Sequence, residues 1–590
     1  MARIVIDPVT RIGGQLRIEV EVANGVVSDA WSSGTMFRGL ELILKGRDPR
    51  DAWLFAQRVC GAATGAHALA SVRAVENALG VTVPRNARLV RNVIAGAEFV
   101  RDHVVHFYHM HALDWADVLS ATTADPAATS TLARSISDWP NSSAADFLGA
   151  RDRLATFVKS GQAGPFANGY WGHPAFRLSP EANLMIVAHY LEALDWHRTF
   201  SRIHTLLGGK NPHPQTFLVG GMALTPPWGG PSRALPGEHP SLVERNAPTA
   251  LSPRGLADIA DLISSATAFV DQVYVPDVLA IARQYGEWAG IGAGIGNYLS
   301  FGEFPEDDSS QPALLLPRGR IMDRNLTTLN TVDQAGVAET VAHSHYTYDG
   351  GDGVSRHPWD GQTAPRYGGP KPPVTTLAGS AKYSWLKAPR YVGEPMEVGP
   401  LARMLVGYVG QVGAVRDVFA SAAAGLGGGP ELVSGTLGRT VARALEAQVI
   451  AKRLAGWRDD LVANIASGDL ALADITHWNP EAWPRQASGY ALGETSQGAL
   501  GHWLKIRDAR IDAYQLIDAS TWNASPRDDR DHRGALEQAL IGTPVEDASR
   551  PLEILRTVHS FDPCTACAVH AYDPQGRGPI EIRIVPGGVG

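Results

Sequence analysis

The sequence predicts an α+β fold that is predominantly α-helical, with a large helical bundle core and small peripheral β-sheets. Five long segments, 90–111, 180–207, 253–285, 396–419 and 437–466, carry apolar residues at three- and four-residue spacing, the mark of helix faces turned toward a core. The first thirty residues alternate instead: Leu16, Ile18, Val20 and Val22 interleave with Arg17, Glu19 and Glu21 before Asn24-Gly25, the dipeptide favoured in tight hairpin turns. The 590 residues, 44% hydrophobic and 19% charged, are ample for a large buried core and carry no signature of disorder or coiled coil.

Taken in order, a second strand over 26–31 follows the turn. Asp51 is placed to cap a helix running through Arg58, and 68–79 reads as a helix stopped by Gly80. In the segment 90–111, His103, His106 and His109 recur every third residue; with no cysteine nearby, a packed, hydrogen-bonded helix face is expected rather than a metal site. The Pro- and Gly-rich stretches 226–236, 349–373 and 425–430 read as surface loops, and none resembles an interdomain linker. The segment Gly290 to Gly296 lacks the glycine spacing and the βαβ setting of a nucleotide loop.

One large domain or two intimately packed ones is therefore expected, with a hairpin region at 1–35 and a helical core over 50–550. The net charge of -8 argues against nucleic acid as a partner. No apolar run is long enough to span a membrane, and Met1 to Asp7 lacks a signal peptide's apolar stretch, so any export would ride on a partner.

The chemistry concentrates at the three cysteines. In Asp562-Pro563-Cys564-Thr565-Ala566-Cys567-Ala568-Val569-His570, two thiols at i and i+3 can turn toward one soft metal ion. A redox dithiol or half of a structural zinc site is an open alternative at this point, although the βαβ setting of redox dithiols is absent. The third thiol, Cys60, lies far upstream in Arg58-Val59-Cys60-Gly61-Ala62-Ala63-Thr64-Gly65-Ala66-His67.

This pair of elements resembles the nickel-iron hydrogenase large subunit. Asp7-Pro8-Val9-Thr10-Arg11-Ile12, Phe37-Arg38-Gly39-Leu40-Glu41, Gly209-Lys210-Asn211-Pro212-His213-Pro214, Met396-Glu397-Val398-Gly399-Pro400 and Thr521-Trp522-Asn523-Ala524-Ser525-Pro526-Arg527-Asp528 are similar to the membrane-bound uptake type, so the likeness spans nearly the whole chain. The resemblance implies Cys60 and Cys564 as terminal thiolates on nickel, with Cys567 bridging nickel to an iron that carries carbon monoxide and cyanide. It implies magnesium held by Glu41, His570 and a backbone carbonyl near Leu516. Asp102 and Asp562 would orient the centre as neighbouring carboxylates. It further implies a single large domain over 1–570 with a metal-binding end at 560–570, and a carboxy-terminal extension, 571–590, removed by a maturation protease after nickel-insertion factors have acted. The iron-sulfur small subunit, dihydrogen as substrate and a membrane cytochrome b complete the expected partners. The expected location is the periplasmic or outer face of a membrane, reached by co-export with the small subunit, with the cytoplasm as the alternative.

Four positions depart from the family's pattern. Ala63 stands where the family has its second amino-terminal cysteine, and a methyl group cannot ligate a metal. Gln497 stands where the family has an arginine over the open metal face, exchanging a permanent charge for a neutral amide. Gly13 stands where the family has a proton-relaying glutamate, and Ser496 replaces a proline. These losses raise two alternatives to a working enzyme: a paralogue acting as scaffold or sensor, or a deliberately altered variant. A quinone-site relative that has shed its cysteines is disfavoured by the retention of Cys60, Cys564, Cys567 and His570.

Overall fold

The computed structural model describes residues 2–161, 164–166, 169–225, 249–369, 376–377, 379–426 and 433–565. The expected loop at 226–236, most of that at 425–430, and the calls on Cys567, His570 and the extension 571–590 lie outside the described residues.

The amino-terminal alternation does form a hairpin, but in a three-stranded antiparallel sheet. β1 (Ala2–Ile6) pairs with β2 (Leu16–Ala23), which pairs with β3 (Val26–Gly34). Leu16, Ile18 and Val20 are buried against Leu536, Leu540, Ile554 and Val558, so the sheet lies on the carboxy-terminal helices. The next helix begins differently from the expectation. Asp48, not Asp51, caps a 3-10 turn over Pro49–Asp51 by accepting from the Arg50 N–H, and a short α-helix over Ala52–Ala56 follows.

The helical core starts with α1 (Thr64–Leu79), closed by Gly80 in the left-handed conformation at φ 66, as its C-terminal glycine predicts. The continuous segments read from the sequence are in several places two helices. α2 (Arg85–Val105) passes into a π-helical stretch over His106–His111, and α3 (Pro180–Phe200) breaks at Ser201 before a shorter helix over Arg202–Gly208. α4 (Pro253–Phe269) and α5 (Val275–Gln284) are joined by a π-helical turn, and 396–419 resolves into a short strand, α6 (Pro400–Val409) and α7 (Gly413–Leu426). The longest helix, α8 (Thr436–Ala466), lies along α2 at the centre of the bundle. Gly96 allows that approach, since a Cβ there would fall 2.9 Å from both Leu454 and Trp457.

A second antiparallel sheet, β4 (Gln486–Thr495), β5 (Gly498–Arg507) and β6 (Arg510–Ile517), packs on α1 and was not expected from the sequence. The chain then runs through α9 (Leu552–Ser560) to the end of the described residues at Thr565. The three histidines of 103–109 are hydrogen-bonded into the packed interior: His103 Nε2 meets Glu446 at 2.8 Å, His106 Nε2 the His559 carbonyl at 2.7 Å, and His109 Nε2 the Tyr190 carbonyl at 3.3 Å.

Candidate metal centre

Folding gathers Cys60 and Cys564, 504 residues apart, until their sulfurs are 3.2 Å from each other. Both are buried, at 1% and 5% exposure. Cys60 sits in the turn before α1, where its sulfur accepts the N–H groups of Ala62 at 3.3 Å and Ala63 at 3.2 Å. Cys564 follows Asp562, whose left-handed φ of 52 turns the chain inward after α9, and its N–H donates to Ser520 Oγ at 2.8 Å. Gly13 pairs with Cys564 in a parallel bridge, its N–H donating to the Pro563 carbonyl at 3.3 Å.

The donor chemistry fits a soft metal ion. Two buried sulfurs 3.2 Å apart are soft donors close enough to share one ion. The amino-terminal element supplies no second sulfur. Ala63 presents a buried methyl in the apolar cluster of Cys60, Ala66, Ala70, Leu500 and Cys564. The described residues therefore offer two thiolates of the set that a nickel-iron centre uses.

Around the sulfurs the carboxylates are held tightly. Asp562 Oδ2 accepts from Arg443 Nη1 at 3.2 Å and from the Gln497 amide at 3.1 Å; burial pushes its carboxyl up, against the pull of Arg443. Asp102 accepts from Arg101 Nη2 at 2.6 Å and from Ser496 Oγ at 2.9 Å, while the same guanidinium reaches the Ala62 carbonyl at 2.9 Å. Both carboxylates are thus ion-paired; Asp102 is tied to the Cys60 turn through Arg101 and to Ser496, and Asp562 to Gln497. Arg443, not singled out in the sequence, also reaches His103 Nδ1 at 3.0 Å, and so joins Asp562 to His103 and Glu446. The signal lay in α8, where Arg439, Arg443 and Glu446 interrupt the apolar face at helical spacing and are all buried.

Glu41 and Leu516 are brought together, but through the Leu516 N–H, which donates to Glu41 Oε1 at 3.0 Å. Glu41 also accepts from Thr363 Oγ1 and lies 3.6 Å from Lys387 Nζ. These groups edge a cavity of about 220 Å³ that is also lined by Arg38, Glu339 and Thr521. Burial raises Glu339 to about 7 despite Lys387 at 3.3 Å. Lys387 and Glu339 are the partners that sequence reasoning missed; neither falls in a recognisable motif. On the other side of Cys60, His67 Nδ1 lies 3.4 Å from His502 Nε2, and the chain of contacts continues to Tyr514 and Ser71.

A family model described as nickel-dependent hydrogenase matches residues 38–570. The uptake hydrogenase large subunits of Bradyrhizobium diazoefficiens and Rhizobium leguminosarum bv. viciae are each 48% identical over 598 residues, covering 99% of this chain and 97% of theirs. The hydrogenase-1 large chain of Escherichia coli is 44% identical over 599 residues at the same coverage. Among solved structures, the Ni-Fe-Se hydrogenase from Desulfovibrio vulgaris Hildenborough in its as-isolated oxidized state aligns with a TM-score of 0.73 at 32% identity, covering 96% of this chain and 100% of that one.

Proposed function

Because this chain belongs to the nickel-dependent hydrogenase family, as a large subunit, we propose that it is the catalytic subunit of an uptake hydrogenase, cleaving dihydrogen heterolytically and passing electrons to an iron-sulfur small subunit. The observation that carries the reading is the gathering of Cys60 and Cys564 to 3.2 Å in a buried pocket. Cys60 and Cys564 would hold nickel, with Cys567 bridging to an iron carrying carbon monoxide and cyanide. Glu41, His570 and a carbonyl near Leu516 would hold magnesium.

When bound, the nickel-iron centre supplies the Lewis acidity that polarises dihydrogen and the redox capacity for its electrons. The chain's own residues supply the rest. The proton released on heterolysis needs a base, and the neutral Gln497 amide cannot hold it, so a thiolate of the cysteine set would take it. Asp562 fixes the Gln497 amide over the site, and Arg443 keeps that carboxylate paired where burial would otherwise neutralise it. Asp102 and Arg101 brace the turn that carries Cys60.

The expected further partners are a maturation protease acting at 571–590, nickel-insertion factors and a membrane cytochrome b, with the complex on the outer face of a membrane. A second reading, a subunit that binds nickel without turning over dihydrogen, is favoured by the methyl of Ala63 where a thiolate is expected and by Gly13 where a proton acceptor is expected. Metal analysis of the purified subunit pair, with infrared spectroscopy of iron-bound carbon monoxide and cyanide, tests both. Nickel and iron with dihydrogen oxidation support the first reading, nickel without oxidation supports the second, and the lack of both metals after maturation refutes the two together.

A further inference from the structure

We propose that Arg101 is a positioning residue that sets the donor strength of the Cys60 sulfur toward its metal, acting through a single peptide group. Arg101 Nη2 donates to the Ala62 carbonyl at 2.9 Å. That carbonyl and the Ala63 N–H are the two ends of one planar peptide unit, and the Ala63 N–H donates to Cys60 Sγ at 3.2 Å. A cation bonded to the oxygen of a peptide polarises the N–H at its other end, which strengthens the second bond. The buried guanidinium therefore draws electron density from the sulfur through backbone atoms. A brace would only hold the turn in place; a charge also changes how strongly its sulfur binds.

Both ends of this relay are fixed. Asp102 Oδ1 takes the Arg101 Nε at 2.9 Å and Nη2 at 2.6 Å, and Asn211 Oδ1 takes Nη1 at 3.0 Å, so the direction of the guanidinium is set. Glu98, one turn earlier on α2, accepts the Gly65 N–H at 3.1 Å and holds the far side of the same turn. The planar fork of arginine lets one side chain serve the carboxylate and the carbonyl at once. Lysine keeps the charge without that fixed angle, which separates the two contributions.

The test uses the full chain with its small subunit, saturated with nickel(II), and reads the thiolate-to-nickel charge-transfer band. In Arg101→Met the sulfur donates more strongly, so the band should move to longer wavelength. Arg101→Lys should return it toward the parental position, and Arg198→Met, from an exposed ion pair with Asp195, should match the parent. A band that stays in place in Arg101→Met at saturating nickel, whatever the affinity, shows a brace and nothing more and overturns the inference; so does a shift that Arg101→Lys fails to reverse. A second arm is a double-mutant cycle with Cys60→Ala on the metal-free chain. Arg101→Met should lower the unfolding midpoint less once the sulfur is gone, and equal losses in the two backgrounds overturn the inference. If Arg101→Met does not fold, Arg101→Met with Asp102→Asn, which removes the paired carboxylate as well, takes its place in both arms, and failure of that pair to fold is also refutation. The band rests on the nickel reading of the site; should the parent itself bind no nickel, that reading fails while the stability cycle still decides the inference.

Discussion

Replacing Arg403 by methionine removes the one cation that satisfies two buried carboxylates beside the centre. Arg403 is fully buried and uses its whole donor set: Nε and Nη2 reach Glu446 at 2.8 and 2.6 Å, Nη1 reaches Glu494 at 2.7 Å, and the carbonyls of Thr495 and Ser496 take the rest at 3.0 and 2.9 Å. Burial alone would raise Glu446, yet Arg403 and His103 hold it at about 2, while burial wins at Glu494 and holds it at about 7. Breaking a buried pair of this kind strands charge in the interior, at a cost of about 3 to 5 kcal/mol. Urea unfolding of the purified subunit pair at pH 7.5 reads that loss directly, if both proteins share the same denaturant slope.

The pH dependence has a definite sign. Glu446 is held below its ordinary 4.5, so in the parent its contribution is complete above 4.5 and is lost as the pH falls toward 2. In Arg403→Met the stranded carboxylates are raised, so the variant recovers stability as the pH falls toward 4.5 and the gap between the two proteins narrows. Adding Glu446→Gln should return part of the loss at neutral pH. A variant within about 1 kcal/mol of the parent at pH 7.5, or a gap that does not narrow in acid, would refute the reasoning.

Ala63→Cys supplies a further thiolate beside Cys60 and is expected to tighten nickel binding at least tenfold, measured by chelator competition on the matured subunit pair; unchanged affinity would show that position 63 does not face the metal. Glu537 is fully buried and held up at about 7 by that burial, against an ordinary 4.5. Folded chains therefore keep a proton that unfolded ones release, stability declines as the pH rises from 4.5 to 7, and Glu537→Gln should flatten that slope, which is on the order of 3 kcal/mol across the window. Gly96→Val drives a branched side chain into Leu454 and Trp457 and should cost about 1 to 3 kcal/mol or more, read by far-ultraviolet circular dichroism during unfolding. Ser496→Ala removes the hydroxyl donor to Asp102 at 2.9 Å and should cost about 1 kcal/mol while leaving nickel content unchanged.

The helices were legible through apolar residues at three- and four-residue spacing; α8, although buried all round from Thr436 to Ala447, differs from its expected start by a single residue. The breaks were not. Apolar spacing runs on through the π-helical turn at Val270–Tyr274 and across Ser201, where backbone hydrogen bonding changes without any change in the pattern. The sheet of β4 to β6 escaped notice for a related reason. From Gly498 to Leu504 every residue is buried, on both faces, so the alternation that marks a half-exposed strand is missing. At the site, Cys60 and Cys564 declared themselves through their local motifs, and Glu41 with Leu516 through resemblance. Arg443, Lys387 and Glu339 could not be found that way, since their roles come from partners far away in sequence. Gly13 reads as a missing relay in the sequence, and in three dimensions it pairs with Cys564.

The bridge between residue 13 and residue 564 joins a segment next to the first sheet to the far end of the chain, and the two cysteines themselves are made 504 residues apart. At roughly 5 to 20 residues per second, the Cys60 turn exists for about half a minute to two minutes before Cys564 can reach it. During synthesis, then, one half of the thiolate pair is exposed to whatever metals the cell offers while the other half has yet to be made. A lone cysteine is a poor trap for a metal ion, so dividing the ligands between distant parts of the chain defers capture until translation is nearly done.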